Sequence, residues 1–329
     1  MTVLVTGGAG FIGRHLLDRL SEAGVPAVCL DNFCDNYSPA LKGVFMGVPL
    51  RVGRENDRAA LASGKAELAE GDIRDLEFCR SVFEKYRPEK VVHLAALAGV
   101  LPSLTHPLLY EEVNCKGTLN LLECAREFGV QRFVFSSSAS VYGLNRKLPF
   151  SEDDPVEQPM SPYAATKRAA ELYCYTYHQL YGISVAALRF FTVYGPRQRP
   201  SLAIHKFTAN ILRGEPIPLY GDGSSLRDYT YYSDVVDGIM AALDAELGFE
   251  IINLGNCNPV RLSDLVSIIE QATGKQARID RLPNQPGDVP AAYADISKAR
   301  RLLGYEPKMP IERGIANFVG WCKRNPADA

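Results

Sequence analysis

The chain has 329 residues, of which 47% are hydrophobic and 22% are charged, a composition typical of a folded globular protein and not of a disordered one. Its formal net charge of −2 and sequence pI of about 6.3 exclude a global positive field that would attract nucleic acid or an anionic membrane. The eight cysteines show neither a CxxC pair nor a metal-ligand spacing, so we expect reduced thiols, no metal site and a cytoplasmic location.

Short apolar runs alternate with helical patterns through the first half of the chain, which predicts an α/β fold with a parallel sheet and crossover helices. The first residues enter a strand directly, without the segments of a signal peptide, and no apolar stretch approaches the ~20 residues of a membrane span. The predicted strands are Val3–Thr6, Ala27–Leu30, Ala66–Ala69, Val91–Ala95, Arg132–Ser136 and Val185–Phe191.

Serine, proline and glycine mark the ends of the predicted helices, because they cap helices or cannot continue them. The predicted helices are Arg14–Ala23 before Gly24, a long helix from Pro107 to Gly129, and one that starts at Ser161-Pro162 and ends at Gly182.

The regular alternation weakens after Phe191, where turn-rich segments follow at Gly195–Pro200 and Gly221–Gly223. A helix near Ser233–Leu243 and a strand near Glu250–Leu254 predict a return to the first sheet. Residues 43–65 are expected to form a solvated excursion. The expected domains are residues 1–188, with 231–256 returning to them, and a smaller α/β lobe of residues 189–230 and 257–329.

Three glycines lie between the first predicted strand and the first helix, in the pattern Gly7-x-x-Gly10-x-x-Gly13. Glycines in this context allow a tight turn, close approach of the backbone to a pyrophosphate, and packing of the helix on the sheet. Asp31 ends the second strand, where a carboxylate accepts hydrogen bonds from a ribose diol and repels a 2′-phosphate. The pattern therefore favours NAD over NADP. Asp72 is expected either beside the adenine or as a polar loop residue.

Tyr163 and Lys167 are four residues apart in the predicted helix after Ser161. Positions i and i+4 share a helix face, so the hydroxyl and the ammonium can converge on one small volume. A nearby ammonium stabilises tyrosinate and lowers the phenol pKa from its usual value of ~10. This pattern predicts a general acid/base beside the dinucleotide.

Taken together, these motifs resemble the extended short-chain dehydrogenase/reductase family, and more narrowly its nucleotide-sugar epimerases. The residues that carry the resemblance are Thr6–Gly13, Asp31, Leu94–Ala96, Asn114, Ser136–Gly143, Tyr163, Lys167 and Arg227–Tyr229. The resemblance implies a Rossmann-type, doubly wound parallel sheet that holds NAD permanently and a C-terminal lobe that holds a nucleoside-diphosphate sugar. It also implies a homodimer, because the two long predicted helices resemble those that form the subunit contact in this family. The implied cofactor residues are Gly7, Gly10, Phe11, Ile12, Gly13, Asp31, Asn32, Asp72, Ile73, Leu94, Ala95, Ala96, Asn114, Ser136, Tyr163 and Lys167.

The resemblance also implies the catalytic roles. Tyr163 is the general acid/base, Lys167 orients the nicotinamide ribose and acidifies the tyrosine, and Ser138 lies beside the reacting sugar oxygen. Related 4,6-dehydratases carry an Asp-Glu pair directly after this hydroxyl, where this chain has Ala139 and Ser140. The missing carboxylates favour epimerisation, in which NAD is regenerated in each turnover.

The segment around Thr192 and Arg199 bears on the sugar. UDP-galactose epimerases have Asn where Thr192 stands, whereas Thr192 and Arg199 are similar to the UDP-glucuronate 4-epimerases. Arg offers a two-pronged donor to a C6 carboxylate, although it serves a phosphate or its own loop equally well. The expected substrate residues are Ser138, Ser140, Tyr163, Thr192, Arg199, Arg227 and Asp288.

Three functions follow in order of preference. The first is a UDP-glucuronate 4-epimerase, and the second is a UDP-glucose/UDP-galactose 4-epimerase. The third, from a different class, is a non-catalytic protein that binds NAD or a nucleotide sugar. The intact set of Ser138, Tyr163 and Lys167 counts against the third function, because a pure binding protein does not need proton-transfer groups.

Overall fold

The structure is a computed structural model that describes residues 1–34, 66–283 and 289–325. The predicted excursion at residues 43–65 and the expected substrate residue Asp288 lie outside the described residues. The chain divides into two units. Unit 1 comprises Met1–Gly143, Pro155–Arg189 and Ile239–Ile252, and unit 2 comprises Leu144–Asp154, Phe190–Gly238 and Asn253–Ala329.

Strands and helices alternate in the order expected of an α/β protein. The strands are β1 (Val3–Thr6), β2 (Ala27–Asp31), β3 (Ala66–Glu70), β4 (Lys90–His93), β5 (Arg132–Ser138), β6 (Ser184–Phe190), β7 (Thr192–Tyr194), β8 (Pro216–Tyr220), β9 (Leu226–Tyr231), β10 (Phe249–Leu254), β11 (Pro259–Arg261), β12 (Arg278–Leu282) and β13 (Ala291–Ala292). The helices are α1 (Phe11–Glu22), α2 (Leu76–Tyr86), α3 (Val100–Thr105), α4 (Pro107–Glu111), α5 (Gly117–Glu127), α6 (Pro162–Tyr181), α7 (Ala203–Arg213), α8 (Tyr232–Asp244), α9 (Leu262–Thr273), α10 (Ser297–Leu303) and α11 (Ile311–Arg324). None of these described helices combines the length and the hydropathy needed to cross a membrane.

The larger sheet has the strand order β10-β6-β5-β4-β1-β2-β3, which is the doubly wound arrangement of a Rossmann-type fold. Strand β1 pairs in parallel with β2 and β4, so that Thr6 lies opposite both Leu30 and His93. The carboxyl ends of these three strands therefore reach the same edge of the sheet, where ligands bind in open α/β sheets.

The predicted strands of the first half are confirmed, with differences at their ends. The prediction Val91–Ala95 is wrong at its carboxyl end, because β4 stops at His93. Residues 94–96 leave the sheet and pass close to Gly7. A Cβ atom added to Gly7 would lie only 2.6 Å from the Ala95 nitrogen. The predicted strand near Glu250–Leu254 is confirmed as β10, an edge strand of the same sheet.

The predicted long helix that begins at Pro107 is interrupted. A π-helical turn at Glu112–Lys116 separates α4 from α5, and Asn114 lies in this turn. Single π turns inside helices are frequent at functional sites, because the wider turn re-aims its side chains. This interruption could not be predicted from the sequence, since Glu112–Lys116 contains neither Gly nor Pro, the residues that most strongly disfavour a helix.

Helix α6 begins and ends as predicted. The Ser161 hydroxyl accepts a hydrogen bond from the Ala164 nitrogen (3.1 Å), Pro162 occupies the first turn, and Gly182 ends the helix with φ +72°. The buried face of α6 includes Ala164, Lys167, Ala170, Glu171 and Cys174. Two charged side chains, Lys167 and Glu171, thus lie on a buried face whose other residues are small and uncharged.

Unit 2 has its own sheets and its own core. Strand β9 pairs with β11, β13 and β7, whereas β8 and β12 form a separate parallel pair. The apolar faces of α7, α9 and α11 pack in one cluster, which includes Phe207, Leu265 and Phe318. Strand β7 carries Thr192, and β9 carries Arg227.

Candidate active site

The glycine loop after β1 is tightly packed against its surroundings. Gly7 has φ +69°, and a Cβ atom on Gly13 would lie 2.3 Å from the Gly7 carbonyl oxygen. The loop closes on itself through a hydrogen bond from the Gly10 nitrogen to the Gly7 oxygen (3.0 Å). Helix α1 begins directly after the loop, at Phe11, three residues earlier than predicted. The amino end of this helix, which is the positive end of the helix dipole, therefore adjoins the loop.

Asp31 is buried at the carboxyl end of β2 and is fixed by backbone donors. Its Oδ2 atom accepts a hydrogen bond from the Ala9 nitrogen (3.0 Å), and its Oδ1 atom accepts one from the Phe33 nitrogen (2.8 Å). Asp31 therefore ties the end of β2 to the glycine loop.

Asp72 is held by a partner that the sequence reasoning missed. The Arg74 guanidinium donates to both oxygens of Asp72, at 3.0 and 2.8 Å, and Asn32 donates to the Oδ2 atom at 3.0 Å. The hydrogen bonds from Arg74 hold the pKa of Asp72 at about 2. The next residue, Ile73, is buried and occupies the space beside Gly117. A two-pronged Arg–carboxylate pair within three residues is a signal that the sequence did contain.

Asn114 fixes the loop that follows β4. Its Oδ1 atom accepts from the Leu97 nitrogen (2.8 Å), and its Nδ2 atom donates to the Leu97 oxygen and to the Thr166 hydroxyl, both at 3.0 Å. The π turn therefore holds the end of the Leu94–Leu97 loop and bonds it to α6. Asn114 thus holds the backbone of the Leu94–Leu97 loop in place.

His93 is buried at the end of β4 and bridges two hydroxyl groups. Its Nδ1 atom lies 2.8 Å from the Thr6 hydroxyl, and its Nε2 atom lies 2.9 Å from the Thr118 hydroxyl. Burial lowers the pKa of His93 to about 3, and Lys167 adds to the shift. The imidazole is therefore neutral at neutral pH and links β1 to α5.

Tyr163 and Lys167 lie on one face of α6, at the helix end nearest the cap. The Tyr163 ring meets the Tyr110 ring edge to face, with centroids 6.2 Å apart. Lys167 is 3% exposed, and its Nζ atom donates to the Ser136 carbonyl oxygen at 2.8 Å. Burial lowers the pKa of Lys167 to about 8, so the ammonium is poised close to neutral pH.

The carboxyl end of β5 presents a serine run to this helix. The Ser138 hydroxyl accepts from the Ser140 nitrogen at 3.2 Å and donates to the Ser140 hydroxyl at 3.1 Å, which caps a short 3₁₀ turn, Ala139–Tyr142. The cap fixes the Ser138 side chain, while the carbonyl of Ser136 receives Lys167. Strand β5 thus supplies a hydroxyl and an anchor for the ammonium within three residues.

The expected substrate residues of unit 2 lie on two of its elements. Thr192 opens β7, and Arg199 follows in a turn that begins at Gly195, where φ is +142°. Buried Gln198 shapes this turn: its Oε1 atom accepts from the Gly195 nitrogen (3.0 Å), and its carbonyl accepts from the His205 ring (2.8 Å). Arg227 on β9 pairs in register with Val260 and Ala292.

Asp228, the residue after Arg227, is a buried junction that the sequence reasoning missed. Its carboxylate accepts from the backbone nitrogens of Asn256, Cys257 and Ala294, at 2.6, 3.0 and 3.1 Å. Burial raises the pKa of Asp228. The residue therefore fixes the loops around β9. Within the described part of the chain, His, Cys, Asp and Glu form no group of three that could hold a metal ion.

Comparison with known proteins decides the family. The sequence pattern of the NAD dependent epimerase/dehydratase family matches residues 3–255. The chain belongs to this family. It is 42% identical to the UDP-glucuronate 4-epimerase of Thermodesulfobacterium geofontis, over 98% of this chain and 96% of that protein.

Two solved structures of this epimerase/dehydratase family are similar over nearly their full lengths. The UDP-glucuronic acid 4-epimerase of Bacillus cereus, in complex with UDP-glucuronic acid and NAD, is 33% identical, with a TM-score of 0.90 and coverage of 98% and 99% of the two chains. The UDP-glucose 4-epimerase of Thermotoga maritima, with UDP-glucose, is 34% identical, with a TM-score of 0.87 and coverage of 99% and 100%. The fold and the family expected from the sequence are thereby confirmed.

Proposed function

We propose that this protein is an NAD-dependent 4-epimerase that interconverts UDP-glucuronate and UDP-galacturonate. The observation that carries the proposal is the anchored pair on α6: Tyr163 shares a helix face with Lys167, whose ammonium is bonded to the strand that supplies Ser138. The similarity to UDP-glucuronate 4-epimerases over nearly the whole chain supports the choice of substrate.

The residues of unit 1 fit NAD by the chemistry of their donors and acceptors. The glycine loop and the amino end of α1 suit a pyrophosphate, because a helix start offers N–H donors and the positive end of a dipole. Asp31 offers acceptor oxygens to the adenosine ribose, and Lys167 offers donors to the nicotinamide ribose. When bound, NAD supplies reversible oxidation at the carbinol carbon of the sugar.

The chain's own residues handle the proton. Tyr163, as tyrosinate, removes the proton from the sugar 4-hydroxyl when the ketone forms, and it returns that proton when the opposite configuration forms. The Lys167 ammonium favours the tyrosinate, since an opposite charge nearby lowers a phenol pKa. The Ser138 hydroxyl hydrogen-bonds the same sugar oxygen and orients it toward Tyr163. These groups need no second redox partner.

Recognition of an acidic sugar is assigned to Arg199, with Thr192 and Ser140 as hydroxyl donors. A C6 carboxylate requires several donors, and a guanidinium satisfies both of its oxygens. Arg227 is assigned to the diphosphate, and Asp288 to the uridine ribose. Arg199, Thr192 and Ser140, as donors to the C6 carboxylate, also keep the keto intermediate from losing carbon dioxide, because they hold that carboxylate in the plane of the ring.

A second candidate function is interconversion of UDP-glucose and UDP-galactose. The observation that favours it is the near-equal similarity to the Thermotoga maritima UDP-glucose 4-epimerase, at 34% identity. The third candidate is a protein that binds NAD or a nucleotide sugar without catalysis. Binding of NAD would use the donors of Lys167, but it would leave the proton-transfer hydroxyl groups of Tyr163 and Ser138 without a role.

One assay separates the three candidates. Purified protein is incubated without added NAD, in parallel, with UDP-glucuronate and with UDP-glucose, and the products are resolved by anion-exchange chromatography. We expect UDP-galacturonate from the first substrate and at most a trace of UDP-galactose from the second. Turnover of the neutral sugar alone would refute the proposal in favour of the second candidate. Absence of turnover of both, with NAD bound, supports the third.

We further propose a cytoplasmic homodimer. All eight cysteines are free thiols, as expected of a reducing compartment. Large apolar side chains are exposed on α4 and α6, with Leu108 80% and Leu180 66% exposed, and a subunit contact on these helices would bury them. Light scattering of the purified protein checks this assembly, and a monomer mass contradicts it.

A further inference from the structure

A buried ion pair lies behind the proposed catalytic residues. The Arg189 guanidinium donates from its Nε and NH2 atoms to the two carboxylate oxygens of Glu171, at 2.8 and 2.9 Å. Both side chains are almost completely buried, and the guanidinium also lies over the Tyr142 ring, 4.7 Å from its centroid. Withdrawal of two charges from water is costly, and well-packed apolar residues often replace such a pair without loss of stability. Stability alone therefore does not account for this pair.

Glu171 lies one helical turn after Lys167, on the same buried face of α6. Its carboxylate accepts a hydrogen bond from the Ser137 hydroxyl at 2.6 Å, while the adjacent residue, Ser136, accepts from Lys167 at 2.8 Å. Two consecutive residues of β5 are thus bonded to two ionised side chains of α6. The next residue along β5 is Ser138.

We propose that Glu171 is a positioning residue that keeps Lys167 in its ammonium form and seated on the Ser136 carbonyl. Arg189 holds Glu171 ionised and directed toward β5. This inference rests on the proposed epimerase function, in which the Lys167 ammonium stabilises the Tyr163 tyrosinate. Glu171 acts through Lys167 and is not itself a catalytic residue.

The surroundings of Lys167 explain why it needs an anion. Several titratable groups interact with Lys167 or with Glu171. They are His93 on β4, Cys115 in the π turn, Arg189 on β6, and Arg168 and Cys174 on α6, where Tyr163 shares the helix face with Lys167. Burial raises the pKa of Cys115 to about 11 and that of Cys174 still further, so both thiols are neutral at pH 8. His93 is neutral as well, because burial lowers its pKa to about 3.

Glu171 is the ionised acid in this set. Burial opposes its ionisation, but hydrogen bonds from Arg189, Ser137 and Arg168 hold its pKa below the ordinary value. Burial lowers the pKa of Lys167 to about 8, and the negative charge of Glu171 works against that decrease. Loss of the Glu171 charge therefore moves the deprotonation of Lys167 to lower pH.

The test uses the purified holoenzyme and its rate of UDP-glucuronate epimerisation between about pH 6 and about pH 10. For Glu171→Gln we expect the alkaline decline in kcat to move down by about one pH unit, so that kcat falls about fivefold at pH 8 and about tenfold at pH 9 and above. KM is expected to stay within about twofold, because Glu171 has no assigned substrate contact. Glu171→Asp keeps the charge and restores most of the alkaline range. A pH profile of Glu171→Gln that superimposes on the parent profile overturns the proposal.

Arg168→Gln supplies a test of opposite sign in a variant that is expected to fold. Arg168 is partly exposed and donates to the Glu171 carboxylate at 3.0 Å, so its loss leaves the Glu171 charge less balanced. We expect the alkaline decline to move up by a few tenths of a pH unit. Glu123→Gln is the matched control, because it removes a glutamate that contacts α6 at Tyr177, away from Lys167. The proposal is contradicted if the alkaline decline in kcat of Arg168→Gln moves to lower pH, as in Glu171→Gln, or stays where it is in the parent.

A second readout is independent of the substrate. Tyrosinate absorbance of the holoenzyme is titrated with pH, with Tyr163→Phe as the blank that isolates Tyr163. Glu171→Gln is expected to raise the pKa of Tyr163 relative to the parent. If the parent turns over no nucleotide sugar but this shift is present, the proposed function fails and the positioning role stands. If the parent is active and the shift is absent, the positioning role fails alone.

Discussion

The Nζ atom of Lys167 lies 2.8 Å from the carbonyl oxygen of Ser136, so helix α6 is hydrogen-bonded to the strand that carries Ser138. The bond joins a side chain to a main-chain atom, which makes it insensitive to the identity of residue 136. It also fixes one of the three ammonium donors and leaves the other two for a tyrosinate and a ribose. The distance between the proton-transfer groups is thus set by backbone structure.

Replacement of Tyr163 by Phe is predicted to abolish epimerisation and to leave the fold intact. The phenyl ring keeps the edge-to-face contact with Tyr110, whereas the proton acceptor is lost. We expect kcat to fall by at least about 10³-fold, in line with the loss of a general base, with bound NAD unchanged. Turnover and the absorbance of released NAD measure the two quantities. A variant with near-parent kcat refutes the role of Tyr163.

Lys167→Met is predicted to stabilise the fold while it removes activity. The folded protein binds a proton on Lys167 only up to about pH 8, whereas an unfolded lysine does so up to about pH 10.4. The unfolded state therefore binds more protons between these values, so the stability of the parent rises with pH across this window. Below pH 8 the buried charge exerts its full destabilising effect.

Chemical denaturation at two pH values measures this effect. At pH 7 we expect the free energy of unfolding of Lys167→Met to exceed that of the parent by about 2 kcal/mol, after allowance for the lost hydrogen bond. Near pH 10.5 the charge penalty is almost gone and only the lost hydrogen bond remains, so the variant should be no more stable than the parent. Lys116→Met, which replaces an exposed lysine of unit 1, serves as the control and should show no such pH dependence. A less stable Lys167→Met at pH 7 contradicts the prediction.

Gly13→Ala is predicted to eliminate bound NAD. The added Cβ atom would lie 2.3 Å from the Gly7 oxygen and 2.7 Å from the Gly8 Cα, which are backbone atoms that cannot give way without opening the loop. Gly320→Ala is the control, because its Cβ atom meets only the end of the Arg324 side chain, at 3.5 Å. The ratio of absorbance at 260 and 280 nm reports the cofactor content. Full NAD content in Gly13→Ala would show that the loop tolerates the methyl group.

The sequence predicted the regular elements of unit 1 because they obey local rules. Ser161, Pro162 and Gly182 delimit α6 through capping and backbone conformation, and these effects act within a few residues. Asp31 was found for the same reason, since it directly follows an apolar strand. The family and the Rossmann-type fold followed from such local signals taken in order.

The parts that the sequence did not predict depend on contacts between distant residues. The π turn at Glu112–Lys116 has an ordinary helical sequence, and its Asn114 finds its partners at Leu97 and Thr166. Glu171 and Arg189, which are eighteen residues apart in the chain, pair with each other and so join α6 to β6. Burial of such a pair becomes visible only when both elements pack on the same core, because charged residues are usually exposed.

Arg199→Ala is predicted to separate the acidic substrate from the neutral one. A charge-assisted hydrogen bond contributes about 1.5–3 kcal/mol, so kcat/KM for UDP-glucuronate should fall by about 10- to 100-fold. The same ratio for UDP-glucose should stay within about threefold, because that sugar has no C6 carboxylate. Steady-state rates with both substrates provide the measurement.

Two further variants make the result for Arg199 specific. Arg199→Lys keeps the charge but not the two-pronged geometry, so its kcat/KM for UDP-glucuronate should lie between those of the parent and Arg199→Ala. Arg213→Ala is the control, because Arg213 is exposed at the end of α7 and pairs with Glu215. If Arg199 instead binds a phosphate, both substrates lose the same factor in Arg199→Ala. If it only stabilises its loop, Arg199→Ala lowers the melting temperature and again affects both sugars alike. Only a loss confined to UDP-glucuronate assigns Arg199 to the carboxylate.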